Sequence, residues 1–307
     1  MRTLIRTRPL KEMGHRAVVT TLACASIAVA LYLGWEGAGY YLLPLTERPF
    51  HPQHVALRPA GSMGIKLGLA AAFLFAGIYL YPLRKRIKPM QRFGKTSRWL
   101  DVHVTLGLIV PMVVTYHSSL KLNGLAGMAY WIMMAIVMSG FVGRYLYAQI
   151  PRSMGAAERS LQELSDEAEA LANELHAQSI FSEKELDTVL ELPSSSEVAA
   201  MSLWAAMLTM ASLDLRRPWR IAAARRKVLS PRELWTTFGG LRRSSHDELE
   251  YVLAAVREQS WLTSKILFLS RAGQVFHLWH VVHRPFSYAF VVLVAAHIGT
   301  VLLMGYF

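Results

Sequence analysis

Two apolar stretches that carry histidines decide the fold: 100-LDVHVTLGLIVPMVVTYHSSL-120 and 275-VFHLWHVVHRPFSYAFVVLVAAHIGTVLLMGYF-307. A transmembrane helix needs about 20 mostly apolar residues, and both stretches are long enough. Three further stretches meet the same requirement, at Ala17–Leu43, Ile65–Pro82 and Ala126–Ile150. The sequence therefore predicts an all-α membrane protein with five transmembrane helices.

The composition agrees with this prediction. Of the 307 residues, 53% are hydrophobic and 18% are charged, against about 25% charged in a typical soluble protein. A formal net charge of +12 on so apolar a chain indicates basic membrane loops and not nucleic-acid binding. The single cysteine, Cys24, excludes within this chain an intramolecular disulfide, an iron–sulfur cluster and a cysteine-based zinc site.

The orientation follows from the positions of Lys and Arg. Residues 1–16 and 84–98 are rich in both, whereas residues 44–63 and 121–125 hold few. Because basic loops stay on the cytoplasmic side, we expect the N-terminus to be cytoplasmic and the C-terminus to lie outside. The expected location is the cytoplasmic (inner) membrane, with lipid as a partner of every span.

A long polar segment separates the fourth and fifth predicted spans. We expect three parts: 1–150 with the first four transmembrane helices, 151–270 as a cytoplasmic helical insert, and 271–307 as the fifth transmembrane helix. Apolar residues step by three and four from Leu161 to Leu175, which is typical of an amphipathic helix. Capping patterns predict further helix starts at Ser182–Glu185, Ser230–Glu233 and Ser245–Glu248.

The stretch Val198–Leu213 of the insert is apolar enough to compete for membrane status. It is short for a span. A single crossing there would also place the Arg-rich residues 216–243 outside, against the positive-inside rule. We therefore interpret it as a core or membrane-surface helix of the insert.

The histidines of the two opening stretches are spaced alike. His103 and His117 are 14 residues apart, and so are His283 and His297, whereas 11 histidines in 307 residues predict fewer than one such pair by chance. Fourteen residues at 100° each fall about 40° short of four turns, so each pair shares one helix face over a rise of about 21 Å. Ionisable residues inside a membrane are costly and usually functional, so we expect these four to be ligands.

Two b-type haems are the cofactors that this arrangement favours. Imidazole binds iron, copper and zinc, but a zinc site needs three or four close ligands. One histidine from each helix at each of two levels suits the axial positions of two haem irons, and no Cys-x-x-Cys-His motif is present for covalent attachment. With parallel helices, His103 pairs with His283 and His117 with His297; an odd number of crossings in the insert would exchange the partners.

Other residues near these levels leave alternatives open. His280 is the main rival of His283 as a ligand, and His277 and His280 fit either a proton path, a quinone contact or interfacial histidines. Arg284 and Arg144 fit as partners of haem propionates or as positive-inside charges. Four glycines in pairs 13 residues apart either leave room for macrocycles or let helices approach closely: Gly64, Gly77, Gly127 and Gly140.

At these residues the sequence resembles the dihaem membrane cytochromes b, a group that includes the b subunits of quinol oxidases, hydrogenases and formate dehydrogenases. The matching segments are Asp101–His103 with Thr115–His117, and Phe276–Pro285 with Ala296–His297. The resemblance covers a little over half of the chain and departs from compact members by the insert. It implies a four-helix dihaem core with bis-histidine haem b, and electron exchange with quinone or a redox partner.

The expected function is transmembrane electron transfer between the quinone pool and a partner redox protein, as a subunit of a quinone-linked oxidoreductase. Such a partner is a c-type cytochrome, an iron–sulfur protein or a flavoprotein, and quinone is a further candidate ligand. One alternative is the membrane half of a ferric-reductase-like enzyme whose flavin domain is another chain, since no Gly-x-Gly-x-x-Gly occurs here in a strand–helix setting. Another is a non-haem transporter or sensor based on histidine.

Overall fold

The computed structural model describes residues 10–150, 157–176, 178, 180–182, 186 and 190–305. Within these ranges the regular elements are helical, and the described residues contain no β-strand, as the sequence predicts. The α-helices are α1 (Leu10–Glu36), α2 (Ala38–Tyr41), α3 (His54–Leu57), α4 (Ser62–Ile78), α5 (Leu80–Arg86), α6 (Lys88–Gln91), α7 (Thr96–His117), α8 (Gly124–Gln149), α9 (Ala157–His176), α10 (Ser195–Ala200), α11 (Leu203–Val228), α12 (Pro231–Thr236) and α13 (Asp247–Leu303). A 3₁₀ turn covers Arg48–Phe50.

Five of the described helical segments are long and apolar enough to cross a membrane, and they coincide with the five predicted stretches. They are Gly14–Glu36, His54–Arg86, Thr96–His117, Ala126–Gln149 and Asp247–Leu303. The chain therefore has the architecture of a multi-pass membrane protein, which confirms that part of the prediction.

The last helix begins much earlier than the apolar stretch that marks it in the sequence. Helix α13 runs without interruption for 57 residues from Asp247, whereas the predicted transmembrane segment begins at residue 271. The predicted boundary falls inside the helix because a change from polar to apolar side chains does not interrupt the backbone hydrogen bonds of a helix.

The chain divides into two compact units, one of residues 1–141 with 283–307 and one of residues 142–282. The second unit contains the predicted insert and extends beyond it at both ends. Each unit is described below by itself.

The core of the first unit lies among four of its helices. Helix α4 packs most extensively against α7, and α1 also packs against α7. An apolar cluster centred on Val110, Met133 and Phe290 includes further side chains from α4, α7, α8 and α13. Two of these helices approach closely at Gly77, where an added Cβ would lie 3.0 Å from Cδ1 of Leu106.

A buried arginine holds the loop between α5 and α7. The side chain of Arg84 is only 5% exposed, although its position in a basic run is also what the positive-inside rule expects. Its guanidinium donates to the carbonyls of Gln91, Phe93 and Gly94 and to the hydroxyl of Thr96. These bonds satisfy loop carbonyls that have no helical partner, so Arg84 fixes how the chain turns into α7.

Two apolar clusters form the core of the second unit. The first joins α9, α11 and α13 and includes Leu175, Ile221, Leu229, Leu249, Val252, Leu253 and Val256. The second joins α8, α10, α11 and α13 and includes Leu146, Val198, Ala206, Met210, Phe268, Ala272 and Val275. Ala168 and Leu175 of α9 are buried, which agrees with the amphipathic helix predicted there.

The predicted helix start at Ser230–Glu233 is confirmed. The Glu233 carboxylate accepts from both the N–H and the hydroxyl of Ser230, at 2.9 and 2.6 Å. The hydrogen bond from the Ser230 hydroxyl is the largest cause that lowers the pKa of Glu233 below its usual value, and the bond from the Ser230 N–H is the next. The nearby His246 lowers this pKa further.

The predicted start of α13 is confirmed, but other residues cap it. The helix does begin at Asp247, but Ser244 is the residue that donates to the Glu250 carboxylate, through its N–H and its hydroxyl. The spacing pattern pairs Ser245 with Glu248, three residues later. In the structure Ser244 instead bonds Glu250, six residues later. The helix start predicted at Ser182–Glu185 lies in part outside the described residues.

Candidate histidine sites in the first unit

His117 and His297 come together in the first unit. His117 ends α7 and His297 lies on α13, and their ring centroids are 6.2 Å apart with the ring planes at 75°. Nδ1 of His117 is 2.8 Å from the carbonyl oxygen of Gly64. Because a carbonyl can only accept, Nδ1 carries the proton and Nε2 keeps its lone pair. Below we call these two residues the 117/297 pair.

Small residues of α4 make room for the His117 ring. A Cβ added at Gly68 would lie 2.7 Å from Cε1 of His117, closer than carbon atoms pack without repulsion. At Gly64, an added Cβ would collide with the carbonyl oxygens of Arg58 and Pro59. Gly64 therefore serves a close backbone approach, and Gly68 is the position that opens space beside the imidazole.

His103 is held by a carbonyl that a proline sets free. Its Nδ1 is 2.9 Å from the carbonyl oxygen of Ile78, the last residue of α4. In a continuous helix that carbonyl would accept from the N–H four residues later, but this residue is Pro82, which has none. His103 donates in its place, so its Nε2 also keeps a lone pair.

The ring of His283 is bonded to the hydroxyl of Ser139, which donates its own proton to another acceptor. Ser139 donates to the carbonyl oxygen of Ile136 at 2.8 Å and lies 2.7 Å from Nδ1 of His283. Since a hydroxyl has a single proton, Ser139 accepts from Nδ1–H of His283. The Nε2 atom of His283 is left unprotonated, as in the two histidines of α7.

His103 and His283 are connected through the end of α4, and we call them the 103/283 pair. Ile78, which binds His103, is followed by Tyr79, whose hydroxyl donates to the carbonyl oxygen of Ser287 at 2.9 Å. Ser287 in turn bonds the carbonyl oxygen of His283 one turn earlier. Both histidines are thus linked to the residues at the end of α4, Ile78 and Tyr79, and their pairing stays a prediction.

The segment of the first unit that follows α1 adds tyrosines near the 117/297 pair. Tyr40 is fully buried, and its hydroxyl lies 3.1 Å from Nδ1 of His54. Tyr41 contacts the ring of Tyr116, at a centroid distance of 5.5 Å. Burial raises the pKa of Tyr41, and the neighbouring phenols Tyr116 and Tyr40 raise it further.

The remaining candidate residues are placed less centrally. Arg284 is exposed in the first unit, and Arg144 is exposed in the second, so the propionate role of both stays a prediction. His280, the predicted rival of His283, lies in the second unit, where its ring packs against Phe276 and Trp279 at 4.3 and 4.7 Å. Its Nδ1 bonds the carbonyl oxygen of Phe276 within the same helix.

The four glycines that lie in pairs 13 residues apart have different surroundings. Gly77 serves a helix contact, and a Cβ at Gly127 would collide with Leu122. Only Gly140 of the four faces space with no atom within 4 Å of an added Cβ. Gly64, Gly77 and Gly127 thus agree with the close-approach alternative, whereas Gly140 leaves open space.

Sequence reasoning missed the residues that hold the histidines. Pro82 was a usable signal, because a proline inside an apolar helix always leaves the carbonyl four residues earlier without its helical donor. Gly68 lies one turn from Gly64 and so on the same face of α4. Nothing in the sequence distinguishes Ser139 from other serines of membrane helices.

The described residues offer no larger group of metal-binding side chains, and comparison with known proteins finds no relative. Among the residues that the structure describes, no cluster of three or more His, Cys, Asp or Glu side chains could hold a metal ion. The chain matches no family model, no curated protein and no solved structure.

Proposed function

We propose that this chain is a membrane electron-transfer protein that holds two b-type haems, one at the 117/297 pair and one at the 103/283 pair. The observation that carries the proposal is the 6.2 Å separation of the His117 and His297 ring centroids. Two imidazoles that bind one metal from opposite sides through bonds of about 2 Å have centroids about 6 Å apart. The residues therefore fit a bis-histidine iron.

The hydrogen bonds on Nδ1 support the same assignment. Histidines that bind metals usually donate their other ring N–H to a carbonyl, a carboxylate or water, which fixes the tautomer and the ring orientation. His103, His117 and His283 each have such an acceptor on the protein, at Ile78, Gly64 and Ser139. Each keeps an unprotonated Nε2, the form that binds a metal.

The number of ligands favours a macrocycle over a bare ion. Each pair offers two nitrogens, and the described residues add no third His, Cys, Asp or Glu ligand nearby. Zinc would need three or four such ligands. Haem brings four nitrogens of its own and supplies reversible one-electron chemistry when bound.

The chain's own residues would bind the two haems, orient them and separate them from water. The two levels, separated along α7 by about 21 Å, would carry electrons across most of the apolar core. We further propose an inner-membrane location with a cytoplasmic N-terminus, quinone as one redox partner, and a c-type cytochrome, iron–sulfur protein or flavoprotein as the other. The basic loops support the orientation.

Pairwise substitution tests the proposal. We expect His117→Ala and His297→Ala each to remove the same haem, and His103→Ala and His283→Ala each to remove the other, measured by reduced-minus-oxidised spectra of the full chain in detergent. His246→Ala is the matched control, because His246 is exposed in the second unit, and it should keep both haems. Unchanged spectra in all four variants would contradict the assignment.

The spectra also separate the rival assignments. If His280→Ala, and not His283→Ala, removes a haem, the second ligand is misassigned. If the folded wild-type chain shows no b-type band, the non-haem transporter or sensor takes the place of the haem protein.

A further inference from the structure

Helix α11 exposes a stripe of large apolar side chains. Trp204, Leu208, Leu215 and Trp219 are 68, 64, 74 and 61% exposed. At 100° per residue these four positions fall within about 60° of one another, along about 22 Å of helix. Leaving so many large apolar side chains in water on one face is unfavourable, so the stripe indicates a surface that something apolar covers.

The opposite face of α11 is already packed. Ala206 and Met210 are buried in the second apolar cluster of the second unit. That cluster also contains Leu146 and Val275. Leu146 lies near the end of the membrane-crossing segment Ala126–Gln149. The first half of α11 is thus held against the end of a segment that is long and apolar enough to span a membrane.

The charges around the stripe are mostly positive. Residues 195–243 contain nine Arg or Lys and three Asp or Glu. Asp214 is neutralised by Arg217 at 2.8 Å and also accepts from Tyr145 and Gln149. Arg216 and Arg226 remain exposed on α11. A basic helix with exposed tryptophan and leucine on one face has the composition of helices that lie in the membrane interface.

We infer that α11 lies along the membrane surface, with the Trp204–Trp219 stripe at the boundary between headgroups and acyl chains and its arginines on anionic phospholipid headgroups. Tryptophan prefers this boundary because its ring is apolar and its N–H is polar. Each Arg or Lys close to an anionic surface strengthens the attraction to it. Continuity with a span and the excess of positive charge both favour lipid over a protein partner. The inference does not depend on haem binding.

Site-directed spin labelling tests this placement, because Cys24 is the single cysteine. In a Cys24→Ser background, nitroxide labels at Leu208→Cys and Leu215→Cys are compared with Ala254→Cys, an exposed position of the same unit. The full chain is reconstituted in nanodiscs with and without phosphatidylglycerol. Collision with oxygen, which concentrates in lipid, is compared with collision with a water-soluble nickel chelate.

We expect oxygen-to-nickel ratios at 208 and 215 several-fold above that at 254 in discs with phosphatidylglycerol, and a smaller difference in purely zwitterionic discs. Ratios equal to that at 254 would place the stripe in water and overturn the inference. Low collision rates with both reagents would mean that protein, a second copy or a partner, covers the stripe, which also overturns it. A difference that is the same in both lipids would overturn the headgroup part.

Discussion

His117 and His297 lie with their ring centroids 6.2 Å apart and their ring planes at 75°. They lie 180 residues apart in the chain, so only the tertiary packing of the first unit brings them together. The Gly64 carbonyl fixes the His117 ring through Nδ1, which leaves the orientation of this ring determined before any ligand binds.

The angle between these rings predicts a spectroscopic signature. A low-spin ferric haem with nearly perpendicular axial imidazoles gives a highly anisotropic electron paramagnetic resonance signal, whereas parallel imidazoles give a rhombic one. We expect the oxidised protein to show the anisotropic signal and His297→Ala to lose it, while His246→Ala keeps it. A wild-type spectrum with rhombic signals alone would contradict the 75° geometry.

Gly68 is predicted to be intolerant of a side chain. Alanine there would place Cβ 2.7 Å from Cε1 of His117, so the ring must move or the helices must separate, at a cost of about 1–3 kcal/mol. We expect Gly68→Ala to lower haem occupancy at the 117/297 pair and spare the 103/283 pair. Gly273→Ala is the matched control because no atom lies within 4 Å of its added Cβ; equal losses in both variants would show that the effect is not steric.

Pro82→Ala should stabilise the helix and weaken the site. The new N–H can donate to the Ile78 carbonyl, which then competes with His103 for the same acceptor. We expect unchanged or higher thermal stability together with about 10–100-fold weaker haem binding at the 103/283 pair, the range found when a partner of a metal-binding histidine is removed. Pro89→Ala, in the first turn of α6, is the control because it removes a proline that does not precede the His103 acceptor. A loss of stability with unchanged haem binding would refute the role of Pro82.

Ser139→Ala is predicted to act on His283 alone. The change leaves Nδ1–H of His283 without its acceptor, which costs about 1–3 kcal/mol if the group stays buried. We expect a shifted midpoint potential at the 103/283 pair in a redox titration, and restoration by Ser139→Thr, which keeps the hydroxyl. Ser287→Ala, which removes a bond to the His283 carbonyl and not to its ring, should leave the potential unchanged; equal shifts in both variants would argue against a ring-specific effect.

The start of α12 is predicted to loosen in acid. The hydrogen bond from the Ser230 hydroxyl, and to a lesser extent that from its backbone N–H, lowers the pKa of Glu233 below its usual 4.5. The stabilisation of the helix start by the ionised carboxylate is therefore fully present above pH 4.5. It is lost as the pH falls through the lower pKa of the folded state. Hydrogen exchange of residues 230–240 should be slower than in Glu233→Gln at pH 7, and the difference should vanish in acid. A difference independent of pH would rule out this carboxylate.

Hydropathy predicted the five spans because crossing an apolar layer imposes both length and composition. Hydropathy did not show that the helix starting near Ser245–Glu248, as the capping pattern predicts, continues without a break into the last span. The packing of the second unit supports its polar part. The two units also divide α8 and α13 at residues that no change in composition marks.

The histidines themselves could be found from spacing, but their supporting groups could not. A carbonyl such as that of Gly64 or Ile78 is available at every residue, and only the backbone geometry decides which one meets Nδ1. The proline at 82 is the exception, because its missing N–H identifies the one carbonyl on that turn in need of a donor.

The haem content of the purified full-length chain tests the central claim most directly. The measurement is the pyridine haemochrome spectrum set against the protein concentration of the same sample. We predict two non-covalently bound b-type haems per chain. A folded chain that contains no haem, and takes up none when haem is supplied, would contradict the account.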